Sequence, residues 1–168
     1  MYDFFNSAVP DALRRLRPDA TPRWGILSAP EMVDHLTRAI RLSLLDEPRE
    51  IRVPEDMRER YWAFLRSDKP MARNLRSPQE FCDIPIQEVG FDEARIRLLR
   101  TLIDMQLLFT KKPDFSSIHP DFGRLDVDLW TVLHMKHFRH HFEQFGLMGG
   151  GSDSWEESDG RKSLSSFL

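Results

Sequence analysis

The run Asp126-Val127-Asp128-Leu129-Trp130-Thr131-Val132-Leu133-His134-Met135-Lys136-His137-Phe138-Arg139-His140-His141-Phe142-Glu143-Gln144-Phe145-Gly146 decides how this chain is read. At about 100° per residue, with Trp130 at zero, His134, His137, His141 and Phe145 fall within roughly 60° of one line. Leu133 and Phe138 flank them, while Val132, Lys136, Arg139 and Glu143 lie on the other side. That separation predicts one amphipathic helix over 127–145. Asp126 suits its N-cap and Gly146 its stop. The face that must pack inward carries three of the six histidines of the chain. His140 points to its margin.

A lone histidine on an apolar face is ordinarily a hydrogen-bonded core residue. Three on one face pose a harder problem. Each neutral imidazole brings a donor and an acceptor, and leaving one unmet while buried costs about 1–3 kcal/mol. A bound metal satisfies several imidazoles at once. His137 and His141 are an i,i+4 pair, stacked one turn apart, and a site of this kind needs at least a third protein ligand. The candidate is His35, in Glu31-Met32-Val33-Asp34-His35-Leu36. Together they suggest an open three-histidine site with a position left for water or substrate. Asp34 projects about 100° away from His35, so no carboxylate at matching spacing completes a mixed triad. Imidazole suits zinc, nickel, copper and iron; zinc or nickel is expected.

Outward from this helix, other helical segments follow. A short one begins near Val9-Pro10, with Ala12, Leu13 and Leu16 on one face, and Pro18 ends it. Ser28-Ala29-Pro30-Glu31 reads as a capping box. Met32, Leu36, Ala39, Ile40 and Leu44 then recur at helical spacing, with His35 inside the stripe. Pro54-Glu55-Asp56 starts a piece through Leu65. A long helix over 91–109 carries Phe91, Ala94, Leu98, Leu102, Met105 and Phe109 inward, with Asp92 and Glu93 at its positive end. Residues 46–90, rich in proline towards their end, form a long crossover between the second and third long helices. His119-Pro120-Asp121-Phe122-Gly123 is a turn. No segment reads as a strand. The expectation is an all-α four-helix bundle over residues 1–148, with a disordered tail over 149–168.

Bulk properties narrow the function classes. The chain has 168 residues, 40% hydrophobic and 30% charged, and a net charge of −3. That fits one domain with a sizeable core. Arginines interleave with acidic residues, so no nucleic acid or anionic membrane surface is expected as a partner. The single Cys82 allows no internal disulfide and fits a reducing compartment. The N-terminus does not read as a secretory signal and no run is long enough to span a membrane, so the expectation is cytoplasmic.

Other candidates are weaker. Cys82 lacks a visible activating group for a thiol nucleophile. His119 and His134 are candidate catalytic residues, as neighbours of the site or as acid/base groups. Trp24 and Trp130 read as packing residues, and Glu80, Asp83 and Glu88 as solvated.

Four stretches occur in a telling order: Pro22-Arg23-Trp24-Gly25, Met32-Val33-Asp34-His35-Leu36, His119-Pro120-Asp121-Phe122-Gly123, and Lys136-His137-Phe138-Arg139-His140-His141-Phe142-Glu143-Gln144-Phe145-Gly146. Over about residues 8–148 the chain resembles an uncharacterised bacterial subfamily of the DinB/YfiT-like metalloenzyme superfamily. The resemblance implies a four-helix bundle of up-down-down-up order, often a homodimer. It implies a divalent metal held by His35, His137 and His141, with His134 beside the site. Better-understood relatives include thiol-dependent transferases and isomerases that use a low-molecular-weight thiol. The long 46–90 segment departs from the superfamily and bears on the mouth of the site. The functional expectation is a metal-dependent enzyme acting on a small-molecule substrate by thiol transfer or hydrolysis. The alternative is a non-catalytic metal- or small-molecule-binding bundle.

Overall fold

The computed structural model describes residues 3–73, 84 and 88–148. The expectations for the 149–168 tail, Cys82, Glu80 and Asp83 lie outside the described residues.

The described chain is mostly helical. A π-helical turn over Phe4–Ala8 leads into α1, Val9–Arg15. Helix α2 spans Ala29–Leu44. A 3-10 turn over Glu55–Met57 enters α3, Arg58–Arg66. Helix α4 runs over Phe91–Lys111, strands β1 and β2 over Ser116–His119 and Gly123–Asp126, and α5 over Val127–Gln144.

Helix α2 starts as its sequence predicts. The Ser28 hydroxyl accepts from the Glu31 backbone N–H at 3.4 Å, and the Glu31 carboxylate accepts the Ser28 N–H at 2.7 Å. These bonds satisfy orphan donors of the first turn. Met32, Val33, Leu36, Ala39 and Ile40 are buried. Helix α2 packs chiefly on α4, through Leu98 and Leu102 among other core residues. An ion pair at 2.6 Å between Arg97 and Asp34 ties the two helices at their margin. Asp126 caps α5, its carboxylate accepting the Leu129 N–H at 2.8 Å. Leu36, Leu98, Leu102, Leu133 and Phe138 are all buried, as the helical faces predict. Helix α4 continues to Lys111, two residues beyond its expected end.

One correction concerns the hairpin. Where the sequence suggests only a turn, β1 and β2 pair antiparallel from Ser116↔Asp126 to His119↔Gly123. The strands are short and hold one aliphatic residue each, Ile118 and Leu125, too few for a period-2 signal. Tertiary bonds hold the hairpin instead. The Ser117 hydroxyl donates to the Ser43 carbonyl at 2.8 Å, the Trp62 indole to the Phe122 carbonyl at 2.9 Å, and the Arg52 N–H to the Pro120 carbonyl at 2.8 Å. The hairpin delivers the chain straight into the Asp126 cap of α5. The finding is a mostly helical protein with one two-stranded antiparallel sheet.

Candidate metal centre

Helix α2 contributes His35, and α5 contributes His137 and His141 one turn apart. The packing of α5 against α2 brings their ring nitrogens together. The candidate ligand atoms of these three residues lie within 4.8 Å of one another. His35 Nε2 stands 2.8 Å from His137 Nε2, and His141 Nε2 stands 3.1 Å from the same atom. These are near the roughly 3.3 Å edge of a tetrahedron whose metal–nitrogen bonds are about 2.0–2.1 Å.

The loop before α2 fixes the tautomer of His141. The Gln144 side-chain amide donates from Nε2 to the Trp24 carbonyl at 2.6 Å. A carbonyl only accepts, so this bond sets which way the amide faces. Gln144 Oε1 is thereby turned to His141 Nδ1, 2.8 Å away. His141 must donate there, which leaves the lone pair on its Nε2, aimed at the cluster.

That assignment exposes a shortage of protons. His137 Nε2 carries either one proton or one lone pair, yet it meets two other Nε2 atoms. At most one proton serves both short contacts. A cation at the common point would instead accept all three lone pairs, so the donor set fits a divalent metal that favours imidazole.

Burial keeps these imidazoles neutral. Desolvation, followed by the charges of His140 and Arg38, lowers the His35 pKa to about 4. Desolvation dominates at His137 and His141 as well, and each falls well below the ordinary value. Neutral rings are the ligand form. A sequence-based expectation that metal binding weakens below about pH 6 rests on an unperturbed imidazole. Burial moves that window down.

The other histidines sit elsewhere. His140 is half-buried, edge-on to Trp24 at 6.2 Å and to His141 at 5.1 Å between ring centroids. Desolvation lowers its pKa to about 4, against the opposing effect of a bond to the Met71 backbone. His134 is buried and stacks on Trp130 at 5.3 Å, and among the described residues neither of its ring nitrogens has a hydrogen-bond partner. His119, the last residue of β1, accepts the Asp121 N–H through Nδ1 at 3.0 Å and packs against Phe122 and Trp130. Burial lowers both His119 and His134 to about 3. The cluster therefore gathers His35, His137 and His141, and leaves His119 and His134 outside it.

Several residues escape the sequence reading. Gln144 was legible only as part of a motif, although its i,i+3 spacing from His141 is a usable signal. Gly25 has φ +78°, and a Cβ there would run into the Gln144 amide. Gly146 has φ +69° and lies so near Arg23 that a Cβ would stand 2.7 Å from its guanidinium. The Arg23 N–H donates to the Gln144 carbonyl at 2.7 Å. The 22–25 loop is thus docked on the end of α5. Trp24 packs against His140, and the Arg73 guanidinium lies 4.1 Å from its ring centroid. Trp130 is fully buried, as expected of a packing residue. Among the described residues, no helix is long and apolar enough to cross a membrane.

No family model, curated protein or solved structure matches this chain.

Proposed function

We propose that this protein is a divalent-metal-dependent enzyme of the DinB/YfiT-like superfamily, acting on a small molecule by thiol transfer or hydrolysis. One observation carries the reading: three Nε2 atoms from two helices converge with too few protons to satisfy one another. In this reading α2, α4, α5 and the shorter α1 or α3 segments form a four-helix bundle of up-down-down-up order. Zinc or nickel is the proposed ion, and a low-molecular-weight thiol the proposed cosubstrate. A bound ion would supply Lewis acidity and lower the pKa of a water or thiol. His35, His137 and His141 hold it, and Gln144 orients His141. His119 and His134, both lowered to about 3 by burial, stay neutral near pH 7 and do not serve as proton carriers.

A second reading, a non-catalytic metal- or small-molecule-binding bundle, is favoured by the same low values, which leave no poised general base among these histidines. The two separate by experiment. Nickel-loaded protein would be titrated with small thiols while a sulfur-to-nickel charge-transfer band is followed, then assayed for thiol transfer and for ester and amide hydrolysis. Turnover that chelation abolishes supports the enzyme. Stoichiometric metal with no turnover across both reaction classes supports the binding bundle.

The proposal extends to a cytoplasmic homodimer. Ile96, Ile103 and Leu107 stand 48%, 53% and 49% exposed on one face of α4. Antiparallel pairing of two such helices would set Glu93 near Lys111 and Arg100 near Asp104, a self-complementary pattern.

A further inference from the structure

The surroundings of the cluster are cationic. Its three ligand candidates are neutral rings, and no carboxylate belongs to the set. Arg38 follows His35 by three residues, so the two side chains share a face of α2. Its Nε donates to the Ile84 carbonyl at 3.1 Å, which anchors the guanidinium from behind. The Nη1 and Nη2 edge remains, two parallel donors of the geometry that receives a carboxylate. Arg73 stands over Trp24, whose ring meets His140, which in turn meets His141. Among the described residues neither Arg38 nor Arg73 forms an ion pair with a carboxylate. Burial raises the Glu143 carboxyl against the opposing charges of Arg139 and Arg73, and among the described residues it forms no ion pair with either. His35 is the most exposed of the three ligand candidates, and Arg38 shares its face of α2.

We propose that the mouth of the three-histidine cluster is a carboxylate-binding site, in which Arg38 is the fork that receives the carboxylate and Arg73 and His140 line the rim. The inference rests on the metal reading and narrows its substrate to a small molecule bearing a carboxylate. A divalent ion held by three neutral ligands in a buried site carries two uncompensated charges. Arg38 and Arg73 add to them instead of offsetting them, so an anion is favoured over a neutral group of the same shape. A thiol or an ester reaching this site would carry its carboxylate on the Arg38 side.

The test uses the full chain loaded with cobalt(II), whose visible absorption reports changes at the ion. Acetate is titrated, with acetamide as the neutral analogue of similar shape. Acetate should shift the spectrum saturably, and acetamide should not. Arg38→Gln should weaken acetate by about tenfold or more, the scale of one charge-assisted hydrogen bond. Arg38→Lys should recover part of that loss, and cobalt stoichiometry should be unchanged in both. Equal responses to acetate and acetamide, or unchanged acetate affinity in Arg38→Gln, would overturn the proposal. Should Arg38→Gln lose its helical signal, the exposed Arg73→Gln decides: weakened acetate binding upholds the site and unchanged binding overturns it. Wild-type protein that binds no stoichiometric cobalt sinks the metal reading itself, before any acetate is added.

Discussion

Replacing Gln144 with Leu removes two bonds at once while keeping nearly the same volume. Gln144 is 4% exposed, and His141, whose Nδ1 it receives, is 6% exposed. The His141 Nδ1–H would lose its acceptor in a dry environment, and the Trp24 carbonyl would lose its donor. An orphaned buried group costs about 1–3 kcal/mol. Trp24 is half-exposed, so its carbonyl can turn to water. The net destabilisation should therefore be about 1–3 kcal/mol, read from the urea midpoint of the metal-free protein. The second effect is on the ligand. Without Gln144 the ring of His141 is free to carry its proton on Nε2, the atom that faces the cluster. Loss of such an orienting partner typically weakens metal binding about 10–100-fold. Competition with a chromophoric chelator measures this directly, and saturating metal should still reach wild-type stoichiometry. A Gln144→Leu protein with wild-type affinity and a wild-type urea midpoint would refute the chain of argument from Trp24 through Gln144 to His141.

Three further outcomes are expected. Gly25→Ala combines a left-handed backbone angle with a collision against the Gln144 amide, so it should lower stability by more than about 1 kcal/mol and weaken metal binding in parallel; calorimetry and the same competition assay check both. The metal-free protein should lose stability steeply as pH falls from about 6.5 towards 4. The sign follows from burial: His35 and His140 are lowered to about 4 and His119 and His134 to about 3, so the unfolded chain binds more protons throughout that window. Each such histidine adds a slope of up to about 1.4 kcal/mol per pH unit, and a flat urea midpoint between pH 6.5 and 5 would contradict it. Finally, Ile103→Lys should convert the proposed dimer to monomer in light scattering at micromolar concentration, and a wild-type protein that is already monomeric would dismiss that interface.

The helices and the histidine face were legible because long periodic segments announce themselves. The His134, His137 and His141 face of α5, the Ser28 capping box and the core around Leu98 and Leu102 all follow from spacing alone. The spacing also separated His140 from His141, and the structure keeps His140 at the margin against Trp24. The pairing of α2 with α5 did not follow from periodicity, which says which face turns inward but not which helix it meets; His35 stood out as a histidine within an apolar stripe, and the resemblance supplied the partner helix. The hairpin over 116–126 stayed hidden because its stability lies in bonds to Ser43, Arg52 and Trp62, distant in sequence. The role of Gly25 was hidden for a related reason: its need for a left-handed backbone and no Cβ arises only when Gln144 arrives from the far end of the chain. The low pKa values belong to the same class, since desolvation is a property of the packed state and not of the histidine.

The central claim is that His35, His137 and His141 hold one divalent ion. Elemental analysis of tag-free protein, with each histidine of the cluster replaced in turn by Ala and with His140→Ala as the neighbouring control, tests it most directly. About one zinc or nickel ion per chain is predicted in the wild type and in His140→Ala, and essentially none in His35→Ala, His137→Ala or His141→Ala, with all variants still helical by circular dichroism. Metal lost from His140→Ala but retained in His141→Ala would contradict the account.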